Sequence, residues 1–131
     1  MATIKKFEDL EIWQSARKLN KDVCPVLRNL SRSGSFKLKE QLDASAGSVM
    51  ANIAEGFERD GNREFLQFLA ISKGSLGEVR SQLYRVFDRE IISEKELYEF
   101  QTRCTELAGR IAKFMCYLNK TDFKGNKYKT K

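Results

Sequence analysis

Residues 48–78 read SVMANIAEGFERDGNREFLQFLAISKGSLGE, and the spacing within this stretch decides the fold. Val49, Ile53 and Phe57 recur every four residues before a break, and Phe65, Leu69, Ser72 and Leu76 recur every three or four after it, which is helical periodicity. The break itself, Arg59-Asp60-Gly61-Asn62, suits a tight reversal, with Asn62 placed to cap the following helix. Two long helices joined by so short a turn must lie antiparallel.

The same stretch carries two stripes of small residues at helical spacing: Ala44, Gly47 or Ser48, Ala51 and Ala54 before the turn, and Ala70, Gly74, Gly77 and Ser81 after it. A glycine inside a helix costs about 1 kcal/mol relative to alanine, so Gly74 and Gly77 together imply a need for close approach. The expectation is that the two stripes face each other. The alternative is that one of them faces a neighbouring subunit.

Outward from this hairpin the chain repeats the pattern. A first helix is expected from Phe7–Asp9 to about Leu30, with Leu10, Trp13, Ala16, Leu19, Val23, Val26 or Leu27, and Leu30 on its apolar side. Pro25 removes a backbone donor and crowds the carbonyl of Lys21, which predicts a kink rather than an end, because the periodicity continues beyond it. Ser31–Phe36 forms a turn, and a second helix spans Lys37–Glu58 with Leu38, Leu42 and Ala46 extending its core face. The third helix continues through Val79, Leu83 and Val86. After a turn at Glu90–Ser93, Ser93 and Glu96 have capping-box spacing, and a heptad follows: Leu97, Phe100, Cys104, Leu107, Ile111, Phe114 and Leu118. The reading is all-α, an antiparallel up-down-up-down four-helix bundle over residues 1–120, followed by a basic tail at 121–131.

Composition narrows the function classes. At 131 residues with 41% hydrophobic content and one proline, the chain is large enough for one core without disulfides or metal. Its formal net charge of +6 favours polyanionic partners. Histidine is absent, which removes the commonest general base and metal ligand and rules out the Glu-x-x-His pairs of a di-iron bundle. Cys24, Cys104 and Cys116 lack paired spacing and fall on apolar helix faces, as expected of reduced core thiols. No apolar run is long enough to span a membrane, and no signal peptide is visible, so a cytoplasmic location with no membrane partner is expected.

The bases are patterned. Arg17, Lys18, Lys21, Arg28 and Arg32 form a stripe on the first helix, and Arg103, Arg110, Lys113 and Lys120 form a second track on the fourth, with Tyr117 among them. Each track is either a solvated face or a path for phosphates; since the first and last helices of such a bundle are neighbours, the two tracks can merge. The tail, with Lys124, Lys127, Lys129 and Lys131 around Phe123 and Tyr128, either stacks on unpaired bases or keeps the chain soluble.

Candidate chemistry is sparse. Lys73-Gly74-Ser75 lacks the order and setting of a phosphate-binding loop. Glu55 and Glu78 lie beside the small stripes and can act as an acid or base, but Glu55 is four residues before Arg59, as in an ion pair, and Glu78 can pair with an arginine elsewhere. Asn52 stands in apolar surroundings and must be hydrogen-bonded there. The expectation is a structural polar network of Asn52, Glu55, Arg59 and Glu78, and no catalysis.

These residues also carry a resemblance. Phe7-x-x-Leu10-x-x-Trp13, Gln41, Ser48-x-x-x-Asn52-Ile53-Ala54-Glu55-Gly56-x-x-Arg59, Glu64-Phe65, Phe68-Leu69 and Lys73-Gly74-Ser75-Leu76-x-Glu78 resemble the bacterial four-helix-bundle proteins encoded in intervening sequences of large-subunit ribosomal RNA genes. The resemblance implies a homopentameric barrel without enzyme activity or cofactor, and Asn52, Glu55, Gly56, Arg59, Gly74, Ser75 and Glu78 as structural motif residues. Proteins of similar fold accompany the reverse transcriptases of diversity-generating retroelements as basic barrels that bind the polymerase and nucleic acid. Ser72 departs from the alanine more usual there. The function expected is thus a pentameric RNA- or DNA-binding accessory protein, possible partner of a reverse transcriptase; the alternative is a protein-interaction scaffold with no direct nucleic-acid role.

Overall fold

The computed structural model describes residues 4–121. A short 3-10 turn, Phe7–Asp9, precedes four helices: α1 (Glu11–Arg32), α2 (Phe36–Glu58), α3 (Asn62–Asp88) and α4 (Glu94–Lys120). There is no strand among the described residues. Each helix packs on the next, and α4 returns to α1, which closes the antiparallel bundle; the α2–α3 seam is the most extensive and the α1–α4 seam the thinnest. The basic tail beyond Thr121 lies outside the described residues.

The core follows the apolar periodicity. Ala16, Leu19, Val23 and Leu30 of α1, Leu42, Val49, Ile53 and Phe57 of α2, Phe65, Leu69, Val79, Leu83 and Val86 of α3, and Cys104 and Ile111 of α4 are all 1% exposed or less. Ile12 and Ile92 join them, whereas Phe114 and Trp13 are only partly covered. The capping box at α4 is present: the Ser93 hydroxyl accepts from the Glu96 amide and the Glu96 carboxylate accepts from the Ser93 amide.

Several expectations are corrected. The first helix does not begin at Phe7: Leu10 is extended between the 3-10 turn and α1, which buries its side chain. Pro25, by contrast, does not end α1, which continues to Arg32 as the unbroken periodicity predicts. Asn62 is not the cap of α3; Gly61 is, at φ 92°, and Asn62 Nδ2 instead donates to the carbonyls of Leu118 and Thr121, tying the start of α3 to the end of α4. Cys24 and Cys116 are exposed, so only Cys104 is a core thiol; burial pushes it up to about 11, against the lowering influence of Arg103 and Arg80.

The largest correction concerns the small stripes. They do not face each other: Ala44 and Ala51 of α2 and Ala70, Gly74, Gly77 and Ser81 of α3 are exposed, and an added Cβ at Gly47, Gly74 or Gly77 meets nothing within 4 Å. The close approach of α2 and α3 rests on Gly56, where an added Cβ would lie 2.8 Å from Phe65 Cδ1 and from Phe68 Cβ. Hydroxyls line the same seam. Ser72, fully buried, donates to the Val49 carbonyl at 2.7 Å, and Ser75 Oγ donates to Ser48 Oγ at 2.8 Å.

Helix ends also explain the turns. Gly34 (φ 78°) and Glu90 (φ 62°) both sit in the left-handed region just past a helix, with six-residue amide-to-carbonyl closures from Ser35 to Leu30 and from Ile91 to Val86. Glycine takes this conformation without cost; glutamate does not. We expect Glu90→Gly to stabilise the fold by about 1 kcal/mol and Gly56→Ala to destabilise it by about 1–3 kcal/mol through overpacking against two phenylalanines. Urea denaturation midpoints measure both; an unchanged midpoint for Gly56→Ala would contradict the close approach.

Candidate nucleic-acid interface

Charge is divided unevenly between the helices. α1 carries five basic and two acidic residues and α4 five and four, a net +4 for this pair; α2 carries two and four and α3 four and three, a net −1. The bundle places the two basic helices side by side, so the sign difference becomes a difference between two faces.

Two contacts fix the register of α1 against α4. Arg103 Nη1 lies 2.9 Å from Asp22 Oδ2, and Arg110 Nη1 donates to Ser15 Oγ at 3.4 Å. Between them runs a groove of about 130 Å³ lined by Ser15, Lys18, Arg103, Glu106 and Arg110 over the buried Leu19 and Leu107. Lys18 also reaches Asp22, at 3.2 Å. Burial works to raise the Asp22 carboxyl, but the Lys18 hydrogen bond and the charge of Arg103 outweigh it and hold the group below its ordinary value. Asp22 therefore serves as a local counter-ion that organises two of the nine predicted bases.

The remaining predicted bases are distributed as follows. Arg17 and Lys21 are exposed on the outer face of α1, with the Arg17 guanidinium 5.9 Å from the Trp13 ring centre. Lys113 and Lys120 are exposed on the C-terminal half of α4, which lies against the N-terminal half of α1. Arg28 and Arg32 are exposed too, and the antiparallel register sets them level with the start of α4, where Glu96 and Glu99 line a second hollow next to Asp22. Arg32 is further engaged with Asn29 Oδ1 at 3.1 Å. Lys18, Arg103 and Arg110 thus meet at the α1–α4 groove, while the rest of each track runs along its own helix, with Glu8, Asp9 and Glu11 near one end and Glu96 and Glu99 near the other.

The predicted structural motif divides into separate parts. Arg59 pairs with Glu55 at 2.9 Å and Glu64 at 3.7 Å and stacks over Phe68, closing the α2–α3 turn above Gly56. Asn52 Nδ2 donates to the carbonyl and hydroxyl of Ser48, and Ser48 receives Ser75, so that group is a chain of small polar residues along the seam. Glu78 belongs to neither: it is exposed and makes no hydrogen bond or ion pair among the described residues. Gly74 is exposed beside Ser75. The sequence places Ser72 in the α3 seam and Ser48 in the small-residue stripe without revealing their hydrogen bonds, and Asn20, whose Nδ2 donates to the Ala46 carbonyl of α2 at 2.8 Å, is not singled out there; a polar residue interrupting a regular apolar seam is the available signal.

No group of three or more cysteine, histidine or acidic side chains among the described residues can hold a metal ion, and no helix there is long and apolar enough to cross a membrane.

Comparison with known proteins agrees with this architecture. A crystal structure of a protein of unknown function from the S23 ribosomal protein family of Bacteroides thetaiotaomicron superposes with a TM-score of 0.74 at 17% identity, over 79% of this chain and 97% of that one. No curated protein matches in sequence. The family described as 23S rRNA-intervening sequence protein matches residues 8–113, most of the bundle. The chain, by that match, belongs to the 23S rRNA-intervening sequence protein family.

Proposed function

We propose that this chain is a non-enzymatic accessory protein that binds RNA or DNA through the α1–α4 face and works as a homopentamer. The observation that carries the reading is the meeting of Lys18, Arg103 and Arg110 at the α1–α4 groove, with Arg17 and Lys21 exposed on α1 and Lys113 and Lys120 on α4, while the α2–α3 pair is net negative. Clustered exposed cations on one face attract phosphates at long range and release counter-ions on contact. A reverse transcriptase as protein partner, and a cytoplasmic location, are consistent with the family resemblance and with this surface.

Assembly is assigned to the opposite side. The outer α2–α3 surface exposes Ala44, Ala51, Ala70, Gly74 and Gly77 around Ile71, which is 51% exposed. Small side chains permit close helix approach, and an added Cβ at Gly74 or Gly77 meets nothing inside one bundle, so packing of another protomer there would offset their helix cost.

If about six phosphates are neutralised, log affinity for single strands falls with log salt at a slope of roughly −4. Lys113→Glu flattens that slope by about one or more, whereas Lys73→Glu on α3 leaves it unchanged. Affinity insensitive to salt would refute phosphate binding and favour the protein-interaction scaffold. For the assembly, light scattering at micromolar concentration is expected to give a pentamer for the native chain and smaller species for Gly74→Trp; a native monomer would contradict it.

A further inference from the structure

The outer face of α1 holds a feature that phosphate attraction alone does not explain. Trp13, the one tryptophan of the chain, is only partly covered and lines an open hollow of about 560 Å³ with Glu8, Gln14, Arg17, Lys18 and Lys21. Phe7 meets the indole edge-on, with ring centres 5.1 Å apart and planes at 62°, and holds it in place from the 3-10 turn. Gln14 Nε2 donates to the Glu8 carbonyl at 2.8 Å, which fixes the far wall. The indole N–H donates to no group among the described residues. Arg17 adds a second flat cationic surface, with its guanidinium 5.9 Å from the ring centre.

An aromatic ring flanked by a guanidinium and lysines is what stacks and neutralises an unpaired nucleotide. Lys18 makes the connection to phosphate, because it lines both this hollow and the α1–α4 groove with Ser15, Arg103 and Arg110. Glu8 is the one acid of the hollow, against three bases. A duplex keeps its base faces in its own stack, so it offers such a surface phosphates and groove edges but no face on which to stack.

We infer that Trp13 and Arg17 form a stacking seat for an unpaired base, with the adjoining phosphate taken by Lys18 and the Ser15–Arg110 groove, so that the nucleic acid held on this face is single-stranded. The inference rests on the nucleic-acid reading above and adds the strandedness of the ligand and the residues that read it.

The test uses the full chain and three probes: a short single-stranded oligouridylate, the same strand annealed to its complement, and inorganic polyphosphate, which has charge but no base. Titration of the native chain with the single strand is expected to quench Trp13 fluorescence, while polyphosphate binds without quenching and the duplex binds more weakly without it. By anisotropy of a labelled strand, Trp13→Ala weakens single-strand binding about tenfold, Trp13→Phe retains most of it, and neither changes the polyphosphate affinity. Arg17→Lys is exposed and keeps its charge, so it serves even where Trp13→Ala does not fold; it is expected to weaken the single strand several-fold and spare polyphosphate. Equal binding of strand and duplex with unchanged fluorescence would overturn the stacking seat and leave the phosphate surface standing. Failure of all three probes to bind would overturn both.

Discussion

The close approach of α2 to α3 at Gly56 is the constraint on which the other helices depend. With Phe65 and Phe68 placed where any Cβ on residue 56 would go, the turn above can be short, and Arg59 can close it by reaching Glu55, Glu64 and the Phe68 ring. The exposed ion pairs themselves contribute little in water. The buried contribution is larger: Phe57 and Phe65 meet edge-on at 6.1 Å, and Phe65 meets Phe114 of α4 at 5.6 Å, so the same aromatic group anchors three helices. Further along the seam the hydroxyls of Ser72 and Ser75 have their partners across it, so polar atoms enter the core without a desolvation cost left uncompensated.

α1 is held differently. It packs on α2 through apolar side chains and Asn20, and meets α4 across a thin seam of polar contacts, Asp22 with Arg103 and Ser15 with Arg110. A thin seam leaves a groove, and the groove is lined with cations because both helices present bases there. The division of labour follows: the α2–α3 hairpin supplies rigidity, and the α1–α4 side supplies a concave charged surface. The carboxyl of Asp22 stays ionised through neutral pH, and its contribution to the seam is lost only as pH falls below the ordinary carboxylate range.

The helices, their order and the core were legible because apolar period and turn residues are local signals, and every buried position of α3 from Phe65 to Val86 except Ser75 was readable in that way. The family was legible in the block around Asn52 to Arg59. What was not legible was which side of a helix a small residue occupies. Gly56 and Gly74 look alike in sequence, yet one is covered by two phenylalanines and the other is exposed, a difference set by rotation of the hairpin. Similarly, spacing grouped Arg28 and Arg32 with Arg17 and Lys21, since all lie on one side of α1; only the antiparallel register shows the first two level with the acidic start of α4. Asn62 had the residue type of a cap, but Gly61 at a positive φ took that position and freed the amide to hold α4.

Nucleic-acid binding on one face of the bundle, α1 with α4, joins the fold to the proposed function. Lysine acetylation footprinting, read by mass spectrometry with and without a bound single-stranded RNA, tests it most directly, because exposed lysines report both sides of the bundle at once. Protection of Lys18, Lys21, Lys113 and Lys120 is expected, with Lys37 and Lys73 of α2 and α3 modified equally in both samples. Protection centred on Lys37 and Lys73, with the α1 and α4 lysines unchanged, would contradict it.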